Sequence, residues 1–188
     1  MGSKGLICVL AGIALSVSSC SFFGSSSPLH GSGHGFFATA ADAGGEKYDL
    51  AVDVLQNKGP GRIQIVGVTP RTIGRLHVDG AFLLAAPDDN PGGGVVRAPF
   101  PLPAGDSFTP ISASRRPTIR QGSNEYLVVR VNIPPSKAAG AILSVVVHYL
   151  SGGTVHSTTY GMAVALCREK FDGGECDVIK NQAHAFSD

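Results

Sequence analysis

Apolar and polar residues alternate with a period of two along much of the chain from residue 47 onward. Tyr48, Leu50, Val52 and Val54 alternate with Asp49, Ala51 and Asp53, the pattern of a strand that buries one face. A Gly/Pro turn over 57–61 follows, then a second β-rich run over 62–68. Further strand-like runs occupy 75–84, 95–99 and 107–111. The stretches 87–94 and 99–105 hold too much Pro and Gly for a helix or a central strand. The clearest alternation comes later: Leu127, Val129, Val131 and Ile133 share one face and Tyr126, Val128, Arg130 and Asn132 the other, until Pro134-Pro135 stops the strand.

Two last runs, 141–150 and 154–167, flank Ser151-Gly152-Gly153, a hairpin signal. Loop length decides which of their side chains meet. A two-residue turn at Gly152-Gly153 puts Leu143, Val145, Val147 and Tyr149 on one face with His156, Tyr160, Met162, Val164 and Leu166, and keeps His148 and His156 on opposite faces. A three-residue loop would instead set the two histidines opposite one another. The first register gathers more apolar bulk on one side and is the one expected. Seven or eight short strands within 47–168 read as an all-β domain, an immunoglobulin-like antiparallel β-sandwich.

Upstream of that domain the pattern changes. Lys4 is followed by an apolar run over 6–17 and then small residues, the order of a secretory signal. The run falls short of the roughly 20 residues that cross a bilayer as a helix, so segment 1–19 is expected to be removed. Val17-Ser18-Ser19-Cys20 resembles the bacterial lipobox, and the resemblance implies that Cys20 becomes the diacylated first residue of the mature chain. Residues 20–46 are rich in Gly, Ser and Ala without a sustained hydrophobic period, and are expected to form a flexible tether. At about 5 to 6 Å times the square root of length, it would hold the domain roughly 25 to 30 Å from its anchor.

Cysteine usage agrees with an oxidising compartment. Of four cysteines, Cys8 leaves with the signal and Cys20 takes lipid, so Cys167 and Cys176 remain as a pair. Gly173-Gly174 allows their short spacer to close a disulfide loop within a C-terminal tail, 169–188. A zinc site would need more ligands than His184, the one histidine near them. Without Lys4, the 15 basic residues fall to 14 against 14 acidic ones. That balance argues against nucleic acid and against polybasic docking to a membrane.

The domain also resembles a broad class of actinobacterial lipoproteins and secreted proteins that carry a single immunoglobulin-like domain. The resemblance rests on the Asn57-Lys58-Gly59 turn, on Gly74-Arg75-Leu76-His77-Val78-Asp79-Gly80 leading into Ala81-Phe82-Leu83-Leu84, and on the strand pair ending in Cys167. It implies a fold and an address outside the cytoplasm, held to the cell membrane by lipid, and supplies no catalytic residues. The inter-sheet disulfide and buried Trp of antibody domains are absent from the sequence.

Candidate chemistry is sparse. The chain holds no G-x-S-x-G elbow, H-E-x-x-H helix, P-loop or C-x-x-C pair, and it is expected to be neither an enzyme nor the holder of a cofactor. His30 and His34 offer two imidazoles in the expected tether, too few for a built metal site. A copper carrier needs soft sulfur ligands beside imidazole, whereas the mature chain keeps one methionine, Met162, on the expected core face. Arg115, Arg116 and Arg120 cluster in one loop, and guanidinium groups in such a cluster grip phosphate or carboxylate. The expected role is a lipid-anchored extracytoplasmic binding or scaffold domain that meets another envelope protein or polymer through such loops. The alternative is a carrier of a metal or small solute.

Overall fold

The computed structural model describes residues 27–31, 37–42, 47–85, 108–132, 139–168 and 174–187. In chain order these form β1 (Leu29–His30), β2 (Phe37–Asp42), β3 (Lys47–Asn57), β4 (Ile63–Gly74), β5 (His77–Ala85), β6 (Thr109–Ile111), β7 (Thr118–Ile119), β8 (Asn124–Asn132), β9 (Ala139–Ser151), β10 (Thr154–Arg168) and α1 (Glu175–Ser187). The strands make two five-stranded sheets, ordered β1-β3-β8-β5-β6 and β2-β10-β9-β4-β7. All pairs are antiparallel except β2 with β10, which is parallel. The domain is an all-β sandwich. The signal segment 1–19, Cys20, His34 and the expected strand 95–99 lie outside the described residues.

Alternation explains the core. From β8, Leu127, Val129 and Val131 point inward to meet Leu50, Val52, Val145, Val147 and Val164 from the other strands, all buried. Complete burial of such a side chain contributes roughly 1.5 to 3 kcal/mol. Tyr126 and Val128 face out, as the pattern requires, into a smaller apolar layer with Ala51 and Val54. Val54 departs from the expected face. The register slips between Ala51 and Asp53, so the strand turns over and Val54 leaves the side of Tyr48, Leu50 and Val52.

The last hairpin takes the two-residue turn. Thr154 pairs with Ser151, and Gly152 and Gly153 both have positive φ, 57° and 82°, which a type I′ turn needs and glycine adopts without strain. His156 therefore lies opposite Tyr149 and stacks on its ring at 5.4 Å, while His148 on the other face meets Thr69 Oγ1 at 3.3 Å. Leu143 does not join the inner face as expected. Register slips toward both neighbouring strands turn it outward.

Two further differences concern the chain ends. The 20–46 stretch, expected as tether, supplies β1 and β2: His30 pairs with Gln56, and residues 37–42 run beside β10. Leu29 is fully buried in the core, so this part of the chain belongs to the domain. The C-terminal tail, for which the sequence suggested a disulfide loop, also contains α1. Its Cys176, Ile179 and Ala183 recur at helical spacing and pack on Ala139, Ala141, Ala163 and Ala165, whose small side chains let the helix approach the sheet. Cys167 and Cys176 are joined, with Cα atoms 5.7 Å apart. Gly140 sits where a β-carbon would collide with Leu76, so the sheet tolerates nothing larger there.

Candidate functional site

One end of the sandwich is built around Asn57, the last residue of β3. Its side chain is buried and fully engaged: Nδ2 donates to the carbonyls of Gly61 at 2.8 Å and Ile119 at 3.1 Å, and Oδ1 accepts from the Gly59 amide at 3.0 Å. Its own carbonyl accepts from the Gly122 amide at 2.9 Å. One amide thus ties the β3–β4 turn to the β7–β8 turn. Asn suits the position because its short side chain both donates and accepts next to its own backbone.

The basic residues hang from this frame. Ile63 pairs with Ile119, so Arg62 and Arg120 occupy facing positions just beyond that pair. Lys58 is exposed in the β3–β4 turn. Arg115 closes a tight turn with Ser112, each residue's amide donating to the other's carbonyl, and the Ser112 hydroxyl accepts a further bond from the Arg115 amide at 3.0 Å. Arg116 is fixed through its carbonyl, which accepts from Gln64 Nε2 at 3.5 Å, and Pro117 through its carbonyl bond to the Ile65 amide. The backbone of the 112–123 segment is therefore anchored at both edges of the sandwich, while the side chains of Arg62, Arg115, Arg116 and Arg120 are exposed.

The structure brings together Arg115, Arg116 and Arg120 along one flank, as their sequence proximity implies, and adds Lys58 and Arg62. Those two lie more than fifty positions upstream. Only the β4–β7 register reveals them, and no local signal in the sequence does. Among the described residues, the ion pairs lie elsewhere: Lys47 with Asp79 at 3.2 Å, Arg130 with Asp49 at 2.8 Å, and Lys180 with Asp177 at 3.8 Å. The acidic side chain that the described strands bring to this end is Glu125, at the start of β8. It is half-buried, and desolvation raises its carboxyl pKa.

A second polar spot surrounds Tyr160. The Tyr160 hydroxyl is buried without a hydrogen-bond partner, and its pKa is raised first by desolvation and then by the Asp53 and Tyr149 charges. The spot is closed, since a side chain on Gly31 would collide with both the Tyr160 ring and the Asp53 carboxylate. Met162 is 1% exposed inside the core and cannot reach a surface metal. Among the described residues no group of three or more His, Cys, Asp and Glu is placed to hold a metal ion.

No protein-family model matches the chain, and no curated protein matches it. The basic turn end therefore stands on its own geometry.

Proposed function

We propose that this protein is a lipid-anchored, extracytoplasmic binding or scaffold domain that engages an anionic component of the cell envelope. The observation that carries the reading is the basic surface in which Lys58, Arg62 and Arg120 project from the turn end pinned by Asn57, and Arg115 and Arg116 from the edge segment above it, held to both sheets. Sandwiches bear recognition on loops held by a rigid frame. Guanidinium groups carried on such a backbone suit carboxylate or phosphate because each offers paired donors in one plane.

Two observations support the address and the fold within this reading. The Cys167–Cys176 bridge fits an oxidising compartment. The core order β1-β3-β8-β5 facing β10-β9-β4, with crossings from β3 to β4 and from β8 to β9, fits the immunoglobulin-like arrangement.

Expression of the full chain in a bacterial host, followed by fractionation and intact-mass measurement, tests the anchor. The expected outcome is a diacylated mature chain in the membrane fraction, and release of a Cys20→Ser chain from it. In-membrane cross-linking of the acylated chain tests the binding end. Products should form through 58–62 and 115–120, and substitution of Arg115, Arg116 and Arg120 by Gln should remove them. A cytosolic, unmodified wild-type chain with reduced Cys167 and Cys176 would refute the reading.

A further inference from the structure

The chain enters the fold at the basic end. β1 runs antiparallel to β3, so Pro28, just before Leu29, lies beside the turn that follows Asn57. The Lys58 amide donates to the Pro28 carbonyl at 2.9 Å. Ser27 is held there as well, its hydroxyl 2.7 Å from the Tyr149 hydroxyl and 3.0 Å from Thr158 Oγ1. Ser27 and the cations Lys58, Arg62 and Arg120 therefore share one end of the sandwich, with Arg115 and Arg116 farther up its edge.

This placement shortens the link to the anchor. Residues 21–26 separate Cys20 from Ser27, which spans at most about 25 Å when fully extended. The sandwich itself is taller: β4 has 12 residues, or roughly 40 Å of strand. With Cys20 in the bilayer, the domain cannot stand on its far end, because Ser27 would then lie farther from the surface than its link can reach. The basic end is the end held next to the headgroups.

We propose that this end and the edge above it dock, through Lys58, Arg62 and Arg120 and the adjoining Arg115 and Arg116, on the anionic phospholipid headgroups of the bilayer that holds the Cys20 anchor. The proposal rests on the anchored reading above and names the anionic component as the membrane surface itself. Zero net charge in the mature chain is no obstacle, since an anionic surface acts within about a Debye length, near 8 Å, and senses the charges on the nearest end. Each basic residue near such a surface strengthens attachment about fivefold. The diacylated anchor already holds stably, so the contact would chiefly orient the domain on the surface.

Arginine footprinting tests the proposal. The acylated protein, purified from membranes in detergent, is reconstituted into vesicles of phosphatidylcholine alone or with phosphatidylglycerol, and treated with phenylglyoxal. In the anionic vesicles Arg62, Arg115, Arg116 and Arg120 should react at least about fivefold more slowly than in neutral ones. Arg75, exposed beyond the far end of β4, is the internal control and should react equally in both. High salt should abolish the difference. The Arg62→Gln, Arg120→Gln double variant, altered only at exposed positions, should also weaken protection at Arg115 and Arg116.

Equal rates in the two vesicle types would overturn the proposal. So would equal protection of Arg75, or protection that appears only when a soluble anionic polymer is added to neutral vesicles. If the purified chain is unacylated and does not float with neutral vesicles, the anchored reading fails. The same chain mixed with anionic vesicles then decides the docking surface, for or against, by the same four arginines.

Discussion

Glu125 shows how a single carboxylate reports its surroundings. It is the second residue of β8, with Leu55 and Ala85 as cross-strand neighbours, and burial raises its pKa above the ordinary 4.5. The unfolded chain gives up this proton near the ordinary value, whereas the folded chain keeps it to higher pH. Between the two values the folded state binds more protons, so stability falls as pH rises through that window and stays lower above it. Glu125→Gln removes the charged form. Thermal melts from pH 4 to neutrality should show a higher Tm for the variant at neutral pH and a smaller decline above about pH 4.5. A variant that melts below wild type at neutral pH would mean that the carboxylate makes a favourable contact. Asp49 and Arg130 instead form a closed pair. They face each other across β3 and β8, the guanidinium meets both carboxylate oxygens at 2.8 and 3.0 Å, and it lies 4.7 Å over the Phe82 ring. Each was visible in the sequence as an outward residue on its strand, but only the register made them partners.

The elements legible in the sequence are those with a sustained period. β3, β8, β9 and β10 were readable because Tyr48 to Val52, Leu127 to Val131 and the hairpin residues alternate over many positions, and because two glycines could supply the positive φ of the turn. β1, β7 and β2 were not. Two residues carry no period, as in β1 and β7, and the FATAAD of β2 follows one large apolar residue, Phe37, with small or polar ones. α1 was missed for a related reason, since its buried stripe is Cys176, Ile179 and Ala183, with one large apolar residue among the three. Its lodging depends on the alanine-lined sheet and on the bridge to Cys167. In the chain-entropy model a loop of this size stabilises by about 2.7 kcal/mol. The Cys167→Ala, Cys176→Ala double variant should lose about that much in urea unfolding, and hydrogen exchange should quicken in 175–187 before the sheets. Uniform loss of protection across β9 and β10 would show instead that the helix and the sheets open as one unit.

At the scale of the molecule, the distribution of charge matters more than its sum. Lys58, Arg62 and Arg120 meet at one end because two turns far apart in sequence are tied through Asn57, Arg115 and Arg116 continue the basic surface up the adjoining edge, and Ser27 lies at that same end. If proximity drives docking, lengthening the link should weaken it without freeing the protein. Insertion of about twenty Gly/Ser residues before Ser27 should lower the effective concentration at the surface about sevenfold. The variant should remain in the membrane fraction while arginine protection on anionic vesicles decreases at intermediate salt. Unchanged protection would mean that the cations find the surface independently of the link. The sequence alone determined the strand character of the domain, the faces of its longest strands, the turn at Gly152-Gly153 and the pairing of Cys167 with Cys176, because each follows from neighbours within one strand, one turn or one short loop. The tertiary structure decided which strands lie side by side, and with that the slips at Val54 and Leu143, the place of α1, and the meeting of Lys58 and Arg62 with Arg120. Those depend on register between distant segments, and register is set by how two apolar faces fill a shared interior, which no local pattern encodes.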